Sequence, residues 1–156
     1  MSDKLKKLIH DVANGDAQAF EWINIWNQHV NNVDDIVDGE LTNVNDIVQA
    51  FMVSHEMLLH PFFMRNAGKL YPVLFLCANA YCDSEELRKI NVDAGEDDWP
   101  HKVSDVLRSY GNEMLVAVAA ITRTGSNSIW TEVRDISMRL REISYESHHN
   151  SSGDPV

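Results

Sequence analysis

The chain has 156 residues, of which 44% are hydrophobic, with only 7 glycines and 4 prolines. This composition fits one domain that buries about two-thirds of the surface of its unfolded chain, and it excludes a disordered chain. The 13 basic and 24 acidic residues give a formal net charge of −11, which disfavours binding to nucleic acid because acidic surfaces repel the phosphate backbone.

Two helices are predicted in the first part of the chain. Ser2 can cap a helix that stops at Asn14-Gly15, and Asp16 can cap the next. From Ala17 to about Asp38 the apolar residues fall within one broad sector of a helix, and Gly39 ends it. The second helix is therefore expected to bury one face.

The next two helices are predicted from their caps and prolines. Thr42 or Asn43 opens the third helix, which closes at His60-Pro61. Pro72 suits the first turn of a fourth helix, and the run 73–78 after it is apolar on all sides, as is typical of a central helix enclosed by others. The expected buried stripe of the third helix is Ile47, Val48, Phe51, His55, Leu58 and Leu59.

The last part of the chain predicts a loop, two more helices and a tail. Charge and turn formers indicate a loop over 91–100, and the fifth helix then runs to Thr124-Gly125. The stripe of the sixth helix alternates spacings of four and three, which favours antiparallel packing. The predicted fold is all-α, a compact and partly antiparallel bundle of five or six helices over 1–146, with a disordered polar tail over 147–156.

The longest apolar run, 71–82, is interrupted by Asn79 and is shorter than the roughly 20 residues needed to cross a bilayer. Cys77 and Cys82 lie five residues apart on one predicted helix and would point away from each other, so they are not expected to pair. The first residues lack the apolar stretch of a secretory signal. The sequence therefore predicts a cytoplasmic protein with no membrane partner.

The most specific chemical pattern is a set of polar residues on the second helix. Asp34 and Asp38 lie one turn apart, and Asp35 lies three residues before Asp38, so that their carboxylates can converge. Asn27 and Asn31 extend this row along the edge of the apolar face, where they are expected to bind the substrate. Oxygen ligands of this kind suit Mg²⁺, the only cofactor that the sequence predicts. The alternative is that the three acids are solvated charges at a helix end.

The segment Asp34-Asp35-Ile36-Val37-Asp38 resembles the DDxxD motif of class I isoprenoid synthases, which are helical bundles with this motif near a helix end. The resemblance implies that Asp34 and Asp38, and less directly Asp35, hold Mg²⁺ that bridges a substrate diphosphate. It covers five residues only. The chain is shorter than those enzymes and has no second aspartate-rich motif, so complete synthase activity is not expected.

Two arginines of the last helix, Arg134 and Arg141, are predicted to lie on one flank and could grip a phosphate. Facing Asp34 and Asp38, they would complete a metal and phosphate site for a phosphate-bearing small molecule. The alternative is ordinary ion pairing on the surface, with acids of the same helix or of the second helix.

His29, His55 and Glu113 are polar residues in or beside apolar stripes, and they form a second candidate cluster that could ligate a transition metal. The alternative is that both histidines are core residues bonded to Glu113, Asn112 or Asn79. The spacing of His55 and His60 is not that of the HExxH motif, which excludes a zinc protease of that type.

The blocks Cys77-Ala78-Asn79-Ala80-Tyr81 and Gly111-Asn112-Glu113-Met114 also resemble parts of short helical proteins encoded by bacteriophages, which implies an origin in the cytoplasm of a phage host and no particular activity. Two functions are left open. One is a Mg²⁺-binding protein that binds, or acts on, a phosphate-bearing small molecule. The other is a non-enzymatic accessory or adaptor protein that binds a protein partner or forms a homodimer.

Overall fold

The computed structural model describes residues 3–93 and 97–151, and within these ranges the secondary structure is entirely helical. The predicted all-α fold is confirmed. No helix in this part of the chain has the length and apolar content that crossing a bilayer requires. The helices are α1 (Asp3–Ala13), α2 (Ala17–Val37), α3 (Val44–Leu59), α4 (Pro61–Arg88), α5 (Trp99–Arg108), α6 (Gly111–Thr122) and α7 (Ile129–Ser151).

Local side chains and backbone conformations determine where α1 ends and where α2 and α3 begin. Asn14 and Gly15 adopt positive φ angles after α1, and the Asp16 carboxylate accepts hydrogen bonds from two backbone N–H groups in the first turn of α2. Asn43 caps α3 in the same way. These caps confirm the predicted starts of α2 and α3, because each satisfies backbone donors that the first turn of a helix leaves unpaired.

His60 is the one residue between α3 and α4, and Pro61 begins α4. Because Pro61 has no N–H, the carbonyl of Met57, four residues before it, loses its helical donor. The indole Nε1–H of Trp22 in α2 donates to that carbonyl at 2.9 Å. The Trp22 ring is fully buried and lies against Phe62 and Phe63, so α2 is bound to α3 and α4 at their junction.

Three predicted boundaries are wrong. The fourth helix begins at Pro61, and Pro72 lies inside it. This is tolerated because Gly68, whose carbonyl loses its donor at Pro72, is exposed and can bond water. The predicted fifth helix is two helices that meet at residues 109–110, and α7 extends through Ser151, beyond the predicted end at 146. Of the predicted tail, 152–156 lie outside the described residues.

The helices contribute unequally to the core. Its buried residues come from α1, the first half of α2, the first part of α4, α6 and the middle of α7. By contrast, the buried residues of α3 are only Ala50 and Met57, and those of α5 are Pro100 and Ser104. Helices α3 and α5 therefore cover the outside of the bundle and contribute little to its core.

The expectation that the fourth helix is enclosed on all sides is wrong. The side chains of Phe75 and Leu76 are 63% and 48% exposed, although Cys77 beside them is buried. Helix α4 packs against α5 and α6 on one side and contacts α2 and α3 less extensively. An apolar run alone did not reveal how many neighbours this helix has.

We expect Pro72→Ala to stabilise the protein by about 2 kcal/mol, because an interior proline costs a helix about 3 kcal/mol and the greater freedom of the unfolded alanine chain returns up to about 1 kcal/mol. Residue 72 is exposed, so the change leaves no cavity. Urea denaturation measures the free energy of unfolding. Gly68→Ala in the same helix is the control for helix propensity alone, and an unchanged or lower stability of Pro72→Ala would contradict the expectation.

Candidate functional site

The acidic end of α2 is bound to other helices through Asp34. Its carboxylate accepts a hydrogen bond from the Tyr81 hydroxyl of α4 at 2.9 Å and forms an ion pair with Arg108 of α5. Tyr81 and Arg108 are 47 and 74 residues away in the chain. Asp34 therefore links three helices, a role that its sequence motif did not indicate.

Arg108 is the centre of a small polar network. Its side chain is 13% exposed, its second nitrogen lies 3.6 Å from the Glu85 carboxylate, and its guanidinium lies over the Tyr81 ring, 5.5 Å from the centroid. Burial acts to lower the pKa of Arg108, but the charge of Asp34, its hydrogen bond to Arg108 and the smaller effects of Tyr81 and Glu85 together outweigh burial and raise this pKa. Burial and the hydrogen bond to Asp34 raise the pKa of the Tyr81 hydroxyl. Arg108 therefore stays charged and Tyr81 stays protonated.

The three aspartates of the predicted magnesium site have different surroundings. Asp34 faces Arg108, the carbonyl of Asp35 accepts from the N–H groups of Glu40 and Leu41, and Asp38 is the exposed last cap of α2. Across residues 3–93 and 97–144, no three His, Cys, Asp or Glu side chains are grouped so that they could hold a metal ion. The Mg²⁺ site stays a prediction. In the structure the positive charge beside Asp34 is the guanidinium of Arg108.

The two asparagines of the same row differ in burial. Asn31 is exposed, whereas the side-chain nitrogen of Asn27 is buried without a hydrogen-bond partner among the described residues. Such a donor costs free energy when left unsatisfied. Their predicted role in substrate binding remains untested.

The last helix places its arginines away from Asp34. Arg141 pairs with Glu113 of α6 at 3.0 Å, and Arg134 is exposed. Helix α7 packs against α1 and α6, whereas the arginine that faces Asp34 comes from α5. The contacts thus form two separate ion pairs, and the predicted pairing of α7 with the acidic end of α2 is not among them.

The candidate cluster of His29, His55 and Glu113 is dispersed. The ring of His29 shares a hydrogen bond with the Ser54 hydroxyl at 3.1 Å, and burial lowers its pKa, so that it stays neutral. His55 is exposed and bonds the carbonyl of Phe51, one turn earlier in α3. The predicted partners Glu113, Asn112 and Asn79 were wrong for both histidines, since Glu113 pairs with Arg141 and Asn112 donates to Ser144.

The most prominent surface feature is apolar, and the sequence did not predict it. Most of the stripe expected to be buried in α3 is exposed, because α3 packs on the bundle through a different side, which carries the buried Ala50 and Met57. A second exposed stripe follows on α4. We refer to these residues as the α3–α4 surface: Val44, Val48, Phe51, Met52, Leu58, Leu59, Met64, Tyr71, Phe75 and Leu76.

A groove runs beside this surface along α2. A cavity of about 200 Å³ lies between α2, α4 and α5, and a second, of about 260 Å³, lies between α2 and α3. Both are lined by His29 and Val33, and we refer to the two cavities together as the α2 groove. Its α3 wall includes Phe51 and Ser54, and its α4 wall includes Leu74, Ala78 and Tyr81.

A sequence signal for the α3–α4 surface was present. Ten of the sixteen residues of α3 are apolar. The buried face of a helix that packs on one side only has room for fewer than ten, so some of them had to be exposed. The Arg108 network had no comparable signal, because its members lie in different helices and no spacing rule relates them.

We expect Asp34 and Arg108 to be coupled by about 1–2 kcal/mol in the free energy of unfolding, since one partner is largely buried and the other is 43% exposed. A double-mutant cycle of Asp34→Asn and Arg108→Gln, followed by urea denaturation, measures it. The exposed pair Glu86 and Lys89 is the control and should show no measurable coupling. Equal, near-zero coupling for both pairs would mean that the network contributes nothing to stability.

The magnesium prediction has a calorimetric test. Because the charge of Asp34 is already paired with Arg108, we expect Mg²⁺ and Mn²⁺ to give the same heats with the wild-type protein and with Asp34→Asn/Asp38→Asn. A heat that disappears in this variant and persists in the α3 control Asp46→Asn/Glu56→Gln would instead support a metal site on α2.

The two family resemblances rest on short motifs and not on the whole chain. No protein-family model, no curated protein and no solved structure matches it. The likenesses to isoprenoid synthases and to phage proteins stay predictions, and the functional argument rests on the surfaces and contacts of this chain.

Proposed function

We propose that this chain is a non-enzymatic helical adaptor that binds a protein partner through the α3–α4 surface. The observation that carries the proposal is the exposure of ten large apolar side chains along two adjacent helices. Phe51 is 62% exposed, Tyr71 61% and Phe75 63%. Single exposed apolar residues are common on soluble domains, but ten large ones on two adjacent helices are typical of an interaction surface.

The size of the surface supports this proposal. A specific interface covers about 800 Å² on each partner, and a fully buried aromatic side chain contributes about 150–250 Å². The α3–α4 surface contains ten large apolar residues, three of them aromatic. Partly exposed as they are, they can supply the apolar centre of an interface of ordinary size, which polar residues around it would complete.

The polar groups favour binding over catalysis. Arg108, the most buried of the charged groups beside the groove, is already neutralised by Asp34 and Glu85. The Cys77 thiol donates to the carbonyl of Tyr110, and burial raises its pKa to about 11, so it is a poor nucleophile near neutral pH. These groups form contacts between helices, and the proposed binding of a partner requires no chemical reaction at any of them.

The proposal is tested by capture on the immobilised protein from a lysate of the cells that produce it. We expect Phe51→Ser/Phe75→Ser to lose the proteins that the wild type retains, because each buried phenylalanine contributes about 1.5–3 kcal/mol, or roughly tenfold to a hundredfold in affinity. Retained proteins are identified by mass spectrometry, and sedimentation velocity reports a homodimer lost in the same variant.

The matched control is Trp130→Ser/Met138→Ser, which removes two exposed apolar residues of α7. Circular dichroism must show that both variants are folded. If the wild type, variant and control retain the same proteins and share one sedimentation coefficient, the α3–α4 surface is not the binding surface and the proposal is wrong.

A further inference from the structure

The cavity between α2, α4 and α5 has a volume of about 200 Å³, and we refer to it as the α4 cavity. Its lining residues repeat at intervals of three and four along α2 and α4, so each of these helices turns one face towards it. Trp26 and Cys77 are buried and form its base, whereas Ala78 and Cys82 are exposed and lie one turn apart on α4. The cavity therefore opens to solvent beside Ala78 and Cys82.

The space between these helices remains open because of the way in which they are joined. Helix α4 packs closely against α5 but less extensively against α2. Asp34 and Arg108 connect α2 to α5 through their side chains. Gly111, at the start of α6, lines the cavity without a side chain, and a β-carbon there would meet no atom within 4 Å. No side chain at this position fills the space.

The charge of the cavity wall favours a neutral ligand. Among the described residues that line the cavity, the charged one is Arg108, and its guanidinium is paired with Asp34 and Glu85. An anion would compete with these two carboxylates for the guanidinium, and a cation would be repelled by it. A neutral molecule meets neither obstacle. The rest of the wall is mainly apolar, with the side chains of Trp26, Val30, Val33, Leu74, Ala78 and Leu107.

The size and the walls of the cavity favour a small aromatic molecule. Apolar cavities of roughly 150 Å³ bind benzene, whereas a water molecule is a poor occupant because it requires two to four polar partners. The α4 cavity, at about 200 Å³, has room for one ring or two fused rings. Trp26, His29 and Tyr81 contribute aromatic rings to its wall. Contacts between rings contribute more than the buried area alone, which favours an aromatic over an aliphatic occupant.

His29 offers a hydrogen-bond acceptor on the cavity wall. The Ser54 hydroxyl has one hydrogen, which it donates to the carbonyl of Ala50, so the hydrogen bond between Ser54 and His29 is donated by Nδ1 of the ring. Because burial lowers the pKa of His29, the ring is neutral and its Nε2 carries no proton. Nε2 has no hydrogen-bond partner among the described residues. A ligand with an N–H or O–H group can supply the missing donor.

We propose that the α4 cavity binds a small neutral aromatic molecule, of one ring or two fused rings, that donates a hydrogen bond to Nε2 of His29. The apolar walls supply most of the affinity, and the acceptor selects molecules that carry a donor. None of the residues that line the cavity belongs to the α3–α4 surface. The site is therefore independent of the proposed adaptor function.

The test begins with two probes of nearly the same shape, indole and indene, of which only indole has an N–H donor. Isothermal titration calorimetry measures their Kd values. We expect indole to bind with a Kd of about 1 mM or below, and about threefold to tenfold more tightly than indene. Benzoate and benzylammonium, which carry one charge of either sign, should bind more weakly than indole.

The variant His29→Phe tests the hydrogen bond, because it keeps a ring and removes both nitrogens. Ser54 retains its hydrogen bond to the carbonyl of Ala50 in this variant, so no polar group of Ser54 is left unpaired. We expect indole to bind the variant about as weakly as indene binds the wild type, and the affinity for indene to change by less than about twofold. The control is His55→Phe, which replaces an exposed histidine of α3 and should leave both affinities unchanged.

The variant Val30→Phe/Ala78→Phe tests the location of the site, because it enlarges two side chains of the cavity wall. We expect both probes to lose at least about tenfold in affinity. The control is Ala17→Phe/Val106→Phe, which makes the same replacements at exposed positions that do not line the cavity and should bind both probes as the wild type does. Circular dichroism and urea denaturation establish that all variants are folded.

A measurement on the wild-type protein tests the same location without any substitution. The chain has two cysteines, of which Cys82 is exposed at the opening of the cavity and Cys77 is buried. Saturating indole should slow the reaction of Cys82 with a maleimide by at least about threefold, because the ligand restricts access to the thiol. Benzoate at the same concentration should not. Peptide mass spectrometry identifies the cysteine that has reacted.

The inference is overturned if indole shows no saturable binding, or if it binds Val30→Phe/Ala78→Phe as tightly as the wild type and does not protect Cys82. An unchanged preference for indole over indene in His29→Phe would equally overturn it, and so would tighter binding of benzoate than of indole, since Arg108 would then be the recognising group. Capture of cellular proteins is tested with Phe51 and Phe75, which do not line the α4 cavity. Failure of one proposal is therefore distinguishable from failure of the other.

Discussion

The contact of Trp22 with the α3–α4 junction determines the arrangement of the functional face. The single residue between these helices is followed by Pro61, and the proline deprives the Met57 carbonyl of its helical donor. The Trp22 indole supplies the missing hydrogen bond, and its ring packs on the first turn of α4. This one side chain contacts both helices at their junction and so helps to position the two walls of the groove beside His29 and Val33.

Packing elsewhere leaves that face open. Helices α1, α6 and α7 and the first half of α2 enclose the core, whereas α3 contributes Ala50 and Met57 and directs its larger apolar residues outward. Exposing these residues gives no benefit to an isolated chain, since each forgoes part of the about 1.5–3 kcal/mol that full burial of such a side chain provides. A partner that covers them recovers this free energy. The distribution of apolar residues therefore favours binding more directly than any polar motif does.

Much of the fold followed from local signals, and little of the site did. Asp16 and Asn43 bind backbone groups two or three residues away, so the starts of α2 and α3 could be predicted from adjacent residues alone. The apolar run at 73–78 predicted a helix correctly but not its neighbours, and Phe75 proved exposed. Likewise Asp34 could be recognised as part of a motif, but its contact with Arg108 spans 74 residues. The spacing of residues along one helix shows which of them share a face. Which other helix, or solvent, that face contacts depends on tertiary packing.

The acidic charge of the chain and its apolar surface have complementary effects. A contiguous apolar surface promotes self-association, and a net charge of −11 opposes it by repulsion between copies. The same charge attracts a basic partner from a distance of up to about one Debye length, roughly 8 Å at physiological salt, before apolar contact is made. Negative charge thus opposes the binding of a second copy to the apolar face and favours the binding of a basic partner. An apolar surface can remain selective in this way.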